Sequence, residues 1–313
     1  MAGSLLAFVL GQAGHPVSLI DLRRDPPSEF RNEKLGIDQI DHLTHLGALS
    51  CFEQACWGDD RPIHLPPLKD CGARYDRWIA GIRDSLPSSV SFVEGKVEDI
   101  ETSDDFQTVV LADGERISGR LVVLATGRGQ RLRAGLGVSR RTFSEKHSLC
   151  LGFSLAAPGG DPWRTKANIW HGKFGDEIAY VTLFPMQDEI RVNVFCYKQS
   201  DDPWVNEMRK DPVGVLGRTL PEMGEVLADL QVTRRLEMRS TDLYAVEGHV
   251  RAGVVLIGDA FHAPCPSSGT GHDPHPHRQA SIGGLEAEGD TGPDPDRRDR
   301  AVSRLSDHLA VVS

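Results

Sequence analysis

Val254-Val255-Leu256-Ile257-Gly258-Asp259-Ala260-Phe261-His262-Ala263-Pro264-Cys265-Pro266-Ser267-Ser268-Gly269-Thr270-Gly271 reads as an apolar strand that breaks at a glycine–acid pair into a turn rich in proline and glycine. An uninterrupted apolar run suits a strand covered on both faces, as in a parallel sheet. An acid in the turn can anchor hydroxyl groups, and glycines let a ligand approach the backbone closely. The plainer role for Asp259 is a helix cap. The apolar run before it and Gly269-Thr270-Gly271 after it favour a ligand-facing turn.

The same pattern recurs upstream. Leu121-Val122-Val123-Leu124-Ala125 is a second apolar run, ending in Thr126-Gly127-Arg128-Gly129. Near the N-terminus Leu5, Leu6, Val9 and Leu10 repeat at helical spacing, and Gly14 stops the helix. Pro16-Val17-Ser18-Leu19-Ile20-Asp21 then reads as a buried strand ending in an acid. A dinucleotide is held where a strand turns tightly into a helix, with an acid at the end of the next strand on the ribose hydroxyls. Gly3 and Asp21 fit the second half of that device. The strand and the first two glycines would precede Met1, so the expected sheet lacks its first strand. The four or five buried side chains of such a strand, at ~1.5–3 kcal/mol each, carry on the order of 10 kcal/mol, comparable to a whole domain's stability.

Between these landmarks, Asp41 to Leu49 and Ala73 to Leu86 read as helices, the second with Tyr75, Trp78, Ile79 and Ile82 as its core-facing stripe. Val90 to Val93, Val97 to Ile100 and Thr108 to Leu111 read as strands, with a hairpin turn at Asp113-Gly114. From Leu149 to about Leu243 longer alternating segments predict an antiparallel sheet. Pro203, Pro212 and Pro221 break Trp204 to Leu230 into short helical pieces.

With 313 residues, 39% of them hydrophobic, the chain can bury a substantial core. A net charge of −10 argues against a nucleic-acid surface and for a small-molecule ligand. The 6 cysteines form no CxxC pair, which points to a reduced, cytoplasmic setting and to no metal site. No apolar run reaches the length of a membrane span. His272, His275 and His277 alternate with prolines and read as part of a solvated tail. Nothing fixes the oligomeric state.

Three further segments decide the family. Phe30-Arg31-Asn32-Glu33-Lys34-Leu35-Gly36 follows the Asp21 strand, Leu124-Ala125-Thr126-Gly127-Arg128-Gly129-Gln130-Arg131-Leu132-Arg133 follows the next landmark, and Gly258-Asp259 follows the last. In this order they resemble the FAD-dependent monooxygenases of the para-hydroxybenzoate hydroxylase type, the single-component aromatic hydroxylases, over about residues 1–271. The resemblance implies an α/β fold: a doubly wound, Rossmann-like FAD/NAD(P)-binding domain with a mainly antiparallel β-sheet substrate domain. It implies FAD as cofactor, NAD(P)H as electron donor, and hydroxylation of a small organic substrate through a flavin C4a-hydroperoxide. The boundaries it implies are 1–148 and 246–271 for the FAD-binding domain, 149–245 for the substrate domain and 272–313 for a disordered tail. Met1 then reads as an internal start, and the stretch after Gly271 as a shifted reading frame.

Carried over by position, Gly3 closes the phosphate turn, Asp21 binds the adenosine ribose and Arg31 approaches the phosphates. Thr126 and Gly127 sit at the middle motif, and Asp259 takes the ribityl chain. Pro264, Pro266, Gly269 and Gly271 shape the loop against the flavin and pyrophosphate. Thr126 departs from the family's usual Asp, which touches on how the flavin is reduced. No tryptophan-x-tryptophan-x-isoleucine-proline halogenase signature is present. No catalytic side chain stands out, and His262 reads as structural. The alternatives are an FAD-dependent reductase of the geranylgeranyl reductase type, or a non-catalytic remnant that does not retain FAD.

Overall fold

The computed structural model describes residues 1–28, 30, 32–58, 67–156, 158–162, 165–173, 175–186, 189–266 and 308–313. The chain divides into two compact units. One takes residues 25–85 and 144–243, the other residues 2–24, 86–143 and 244–313. The segment 25–85 lies in the same compact unit as residues 144–243.

The second unit is built on a five-stranded parallel sheet in the order Val254–Leu256, Leu121–Leu124, Leu309–Val312, Val17–Asp21, Val90–Glu94. Side chains alternate across it. Val17, Leu19, Val123, Leu309 and Val311 face Ala7 of the helix Ala2–Gln12. Ile20, Val122, Leu124, Ala310 and Val312 face the other way, onto Val97, Ile100, Val109 and Leu111. Those last four belong to an antiparallel sheet of Val97–Thr102, Gln107–Leu111 and Arg116–Gly119. Both faces are covered, which is why the strands read as unbroken apolar runs. Gly14 ends the helix as the sequence predicts. Its φ of 83° lets the His15 N–H reach back to the Leu10 carbonyl at 3.1 Å.

Leu309–Val312 is the departure from expectation. The sequence assigns 272–313 to a disordered tail, yet these residues are 0–3% exposed and pair in parallel on both sides, with Val17–Ile20 and with Leu121–Leu124. Leu309, Val311 and Val312, each worth ~1.5–3 kcal/mol on burial, fill the middle of a sheet expected to be open there. Residues 272–307, with His272, His275 and His277, lie outside the described residues.

In the other unit, Asn168–His171, Ile178–Pro185, Ile190–Cys196 and residues 149–155 form antiparallel pairs. Leu151, Phe153, Val181, Leu183, Val192 and Val194 from this sheet pack with Val205, Met208, Val215 and Leu216. The helices Pro203–Met208 and Pro212–Thr219 start at the expected prolines. Each is capped by the preceding acid, Asp202 accepting from Trp204 N at 2.7 Å and Asp211 from Gly214 N at 2.9 Å. The single helix predicted over 41–49 is instead two, Ile37–His45 and Leu49–Trp57, because Gly47 at φ 67° breaks it. Tyr75–Asp84 packs Trp78 edge-on against Phe52 at 4.9 Å, the core role read for that stripe.

Candidate functional site

All five parallel strands point their carboxyl ends to one edge, so the residues that follow them gather there. Leu256 leads to Gly258-Asp259, Leu124 to Thr126-Gly127, Val312 to Ser313, and the Val17 strand ends at Asp21. Ladder bonds continue to the rim: Ile257 N to Leu124 O at 3.0 Å, Ala125 N to Val312 O at 2.7 Å, and Ser313 N to Ile20 O at 2.8 Å. Asp259 and Asp21 are three strand spacings apart, roughly 14 Å at ~4.8 Å per spacing. A ligand touching both must be extended and must cross above Ser313. The carboxyl edge is where open parallel sheets bind ligands.

The glycines show how close that ligand can come. A Cβ on Gly3 would lie 3.0 Å from Ala125 Cβ and 3.0 Å from Ser313 Cβ, so any larger residue would crowd the place where the start of the helix meets the sheet. Gly127 and Gly258 both have φ of 59°, which side chains rarely adopt, and nothing lies within 4 Å of the Cβ position on Gly127. The Thr126 hydroxyl is buried with no hydrogen-bond partner among the described residues. A buried, unpaired hydroxyl beside an open glycine is costly unless something else pairs with it.

Asp21 accepts from Arg23 N at 3.1 Å through Oδ1. Asp259 sits on a single helical turn, Gly258–Ala260, with Arg128 Nε 3.5 Å from its Oδ2. Both side chains of that pair are over a third exposed, so the contact orients more than it stabilises. His262 pairs with Ala245 in a two-residue strand, and Pro264 and Pro266 follow half-buried. Arg31, Gly269 and Gly271 lie outside the described residues.

Sequence reasoning misses what holds the two turns in place. Arg133 is 2% exposed, and its guanidinium donates to Gly129 O at 2.9 Å, Arg128 O at 3.1 Å and Ala260 O at 2.8 Å. One side chain thereby fastens the Thr126-Gly127 turn to the Asp259 turn. Tyr244 supports the same place from below. Its hydroxyl donates to Asp259 O at 2.6 Å, and its ring lies under Arg133 at 5.6 Å and Arg140 at 4.5 Å. Burial pushes the Tyr244 phenol up from its ordinary value against the pull of Arg133, so it remains a donor. Neither Arg133, nine residues beyond the strand Leu121–Leu124, nor Tyr244 carries a spacing in the sequence that would mark this role.

No family model matches this chain. Solved structures do. The flavin-dependent brominase Bmp2 superposes with a TM-score of 0.66 at 17% identity, over 86% of this chain and 72% of that one. Klebsiella pneumoniae HpxO, solved with FAD and uric acid, gives 0.62 at 17% identity over 86% and 72%. The p-nitrophenol 4-monooxygenase PnpA from Pseudomonas putida DLL-E4 gives 0.62 at 17% identity over the same shares, 86% and 72%. The fold is that of the flavin-dependent monooxygenases. At these identities the likeness speaks for the fold, and the chemistry rests on the site. No helix among the described residues is long and apolar enough to cross a membrane.

Proposed function

We propose that this chain is an FAD-dependent monooxygenase that takes electrons from NAD(P)H and hydroxylates a small organic substrate. The observation that carries this reading is the carboxyl edge, where Asp21, Thr126-Gly127 and Asp259 follow three strands of one parallel sheet and Gly3 sets the start of a helix against Ala125 and Ser313 between them. The residues fit the cofactor. Gly3 brings the start of an eleven-residue helix against the sheet, so its positive end serves a pyrophosphate. Asp21 and Asp259, on either side of that point, accept from the ribose and ribityl hydroxyls. The Thr126 hydroxyl gains the partner it lacks. Arg31 would reach the phosphates, and Pro264, Pro266, Gly269 and Gly271 would shape the loop over the flavin.

Bound FAD would supply the redox chemistry, accepting a hydride from NAD(P)H and passing one oxygen atom of O₂ to the substrate. The chain's own part is to bind, orient and shield. Titrating purified chain with FAD, read by quenching of flavin fluorescence, should give saturable 1:1 binding. Adding NAD(P)H should then consume O₂. A chain that takes up no FAD would reject the proposal, and flavin reduction without oxygen uptake on any substrate turnover would favour the reductase alternative.

A further inference from the structure

We propose that Arg191 is a positioning residue for the cofactor: from within the antiparallel sheet it fixes the main chain at Phe30 and so sets the approach of Arg31 to the FAD phosphates. The cofactor named here rests on the FAD reading above. The socket that holds Phe30 does not.

A guanidinium taken out of water is costly, and a buried one is ordinarily paired with a carboxylate. Arg191, on the strand Ile190–Cys196, is 2% exposed, yet its hydrogen-bond partners among the described residues are all neutral. Asn193 Oδ1 accepts from Nε at 3.3 Å, Ser154 Oγ from Nη1 at 3.0 Å, and the Phe30 carbonyl from Nη2. Glu189, two residues earlier, turns to Arg234 instead, its Oε2 3.5 Å from Nε. Burial pulls the Arg191 pKa down to about 10, which leaves the group charged at neutral pH. Ser154 and Asn193 belong to the sheet itself, where Ser154 stands opposite Arg191 and Asn193 opposite Gly152. The bond to Phe30 is the one that leaves the sheet, spanning 161 residues of sequence. A charged donor holds a carbonyl more firmly than a neutral one does.

The sheet is shaped to receive Phe30. A Cβ on Gly152 would lie 2.7 Å from Phe30 Cδ2, 2.9 Å from Arg191 Nη2 and 3.2 Å from Asn193 Oδ1, so the missing side chain is the room that the ring and the guanidinium share. The ring is 6% exposed, with the guanidinium carbons of Arg191 and Arg239 at 5.8 Å and 6.0 Å from its centre. Its neighbours in sequence are held as well. Arg74 Nη2 donates to Ser28 Oγ at 3.1 Å, and Asn32–Glu33 pairs antiparallel with Ala73–Arg74. The carbonyl that Arg191 holds belongs to the planar peptide bond leading into Arg31, so fixing it fixes the direction in which the chain enters that residue. A charge presented from a fixed main chain loses less conformational freedom when it meets a phosphate.

A double-mutant cycle on the full chain, read by FAD titration with thermal melts on each variant, tests this role. Arg191→Met should weaken FAD binding by about tenfold or more in the parent, but by less than about twofold in an Arg31→Ala background, where no charge is left to position. Arg191→Lys should recover part of the affinity, since one ammonium can reach the Phe30 carbonyl without the fork that also engages the sheet. Gly152→Ala, which crowds Phe30 and keeps the guanidinium, should show the same dependence on Arg31. It carries the cycle alone should Arg191→Met lose its cooperative melt. Equal losses with and without the Arg31 side chain, or no loss in either background, would overturn the proposal while leaving FAD binding in place. A parent that takes up no FAD would reject the proposed function, and the positioning role with it.

Discussion

Replacing Arg133 with Met removes a buried side chain that hydrogen-bonds to both turns of the candidate site while roughly keeping its volume. Three hydrogen bonds are lost, to Gly129 O, Arg128 O and Ala260 O. Bonds from a charged donor contribute ~1.5–3 kcal/mol each, which sets an upper limit of roughly 5–9 kcal/mol. The Gly129 and Arg128 carbonyls are only partly buried and regain water when freed, while the buried Ala260 carbonyl does not, and the expected loss is about 3–5 kcal/mol. That corresponds to a fall of about 6–20 °C in the melting of the unit that contains it. The function-specific effect is larger in kind. With only the exposed Arg128–Asp259 pair left to join the Thr126 and Asp259 turns, FAD affinity should drop at least tenfold. Arg133→Lys should fall between, since an ammonium can serve one turn but lacks the fork that spans two. Thermal melts with and without FAD, together with fluorescence titration, measure both effects. A Met variant with unchanged melting and unchanged FAD affinity would refute the reasoning.

Tyr244→Phe keeps the ring under Arg133 and Arg140 but removes the 2.6 Å bond to Asp259 O, and should cost about 1–2 kcal/mol in denaturant melts. Gly3→Ala should weaken FAD binding and lower the melting temperature. Adding Ser313→Gly, which removes one of the two 3.0 Å neighbours, should recover part of both, whereas strictly additive effects in the double-mutant cycle would contradict the contact. In the other unit, burial raises the Asp76 carboxyl, but the Arg74 guanidinium at 2.6 Å and backbone amides outweigh it and hold the group below its usual 3.8. A carboxyl depressed in the folded state stabilises above its unfolded value, and that contribution is lost as pH falls through the folded one. Asp76→Asn should therefore cost about 1–3 kcal/mol at pH 7. It should also flatten the decline in stability below about pH 4, as urea melts across pH 3–7 would record.

How much of this was legible in the sequence depends on whether a signal was local. The strand-end residues Asp21, Thr126-Gly127 and Asp259 were readable because each follows an apolar run within the same few residues, and the sheet then brings them to one edge. Gly3 was readable as a small residue opening a helix, although the reason for it, the crowding by Ala125 and Ser313, needs the packed sheet. Arg133 and Tyr244 act through carbonyls up to 127 residues away in sequence, and no pattern of spacing encodes such a partner.

Leu309–Val312 escaped for a different reason. A short apolar run after a stretch rich in Asp, Arg, Gly and Pro carries too little periodicity to stand out, and reading in chain order looks for a first strand ahead of the first helix. Burial has no such order. A parallel sheet with Val17–Asp21 on one side and Leu121–Leu124 on the other presents two rows of unpaired backbone groups and an apolar gap between them. Unmet N–H and C=O groups in that gap are costly, and any β-branched segment able to reach it in the parallel direction satisfies both rows at once. Val311 and Val312 meet that demand from the far end of the sequence. What selects the strand is the vacancy in the sheet between Val17–Asp21 and Leu121–Leu124, and closeness along the chain does not enter.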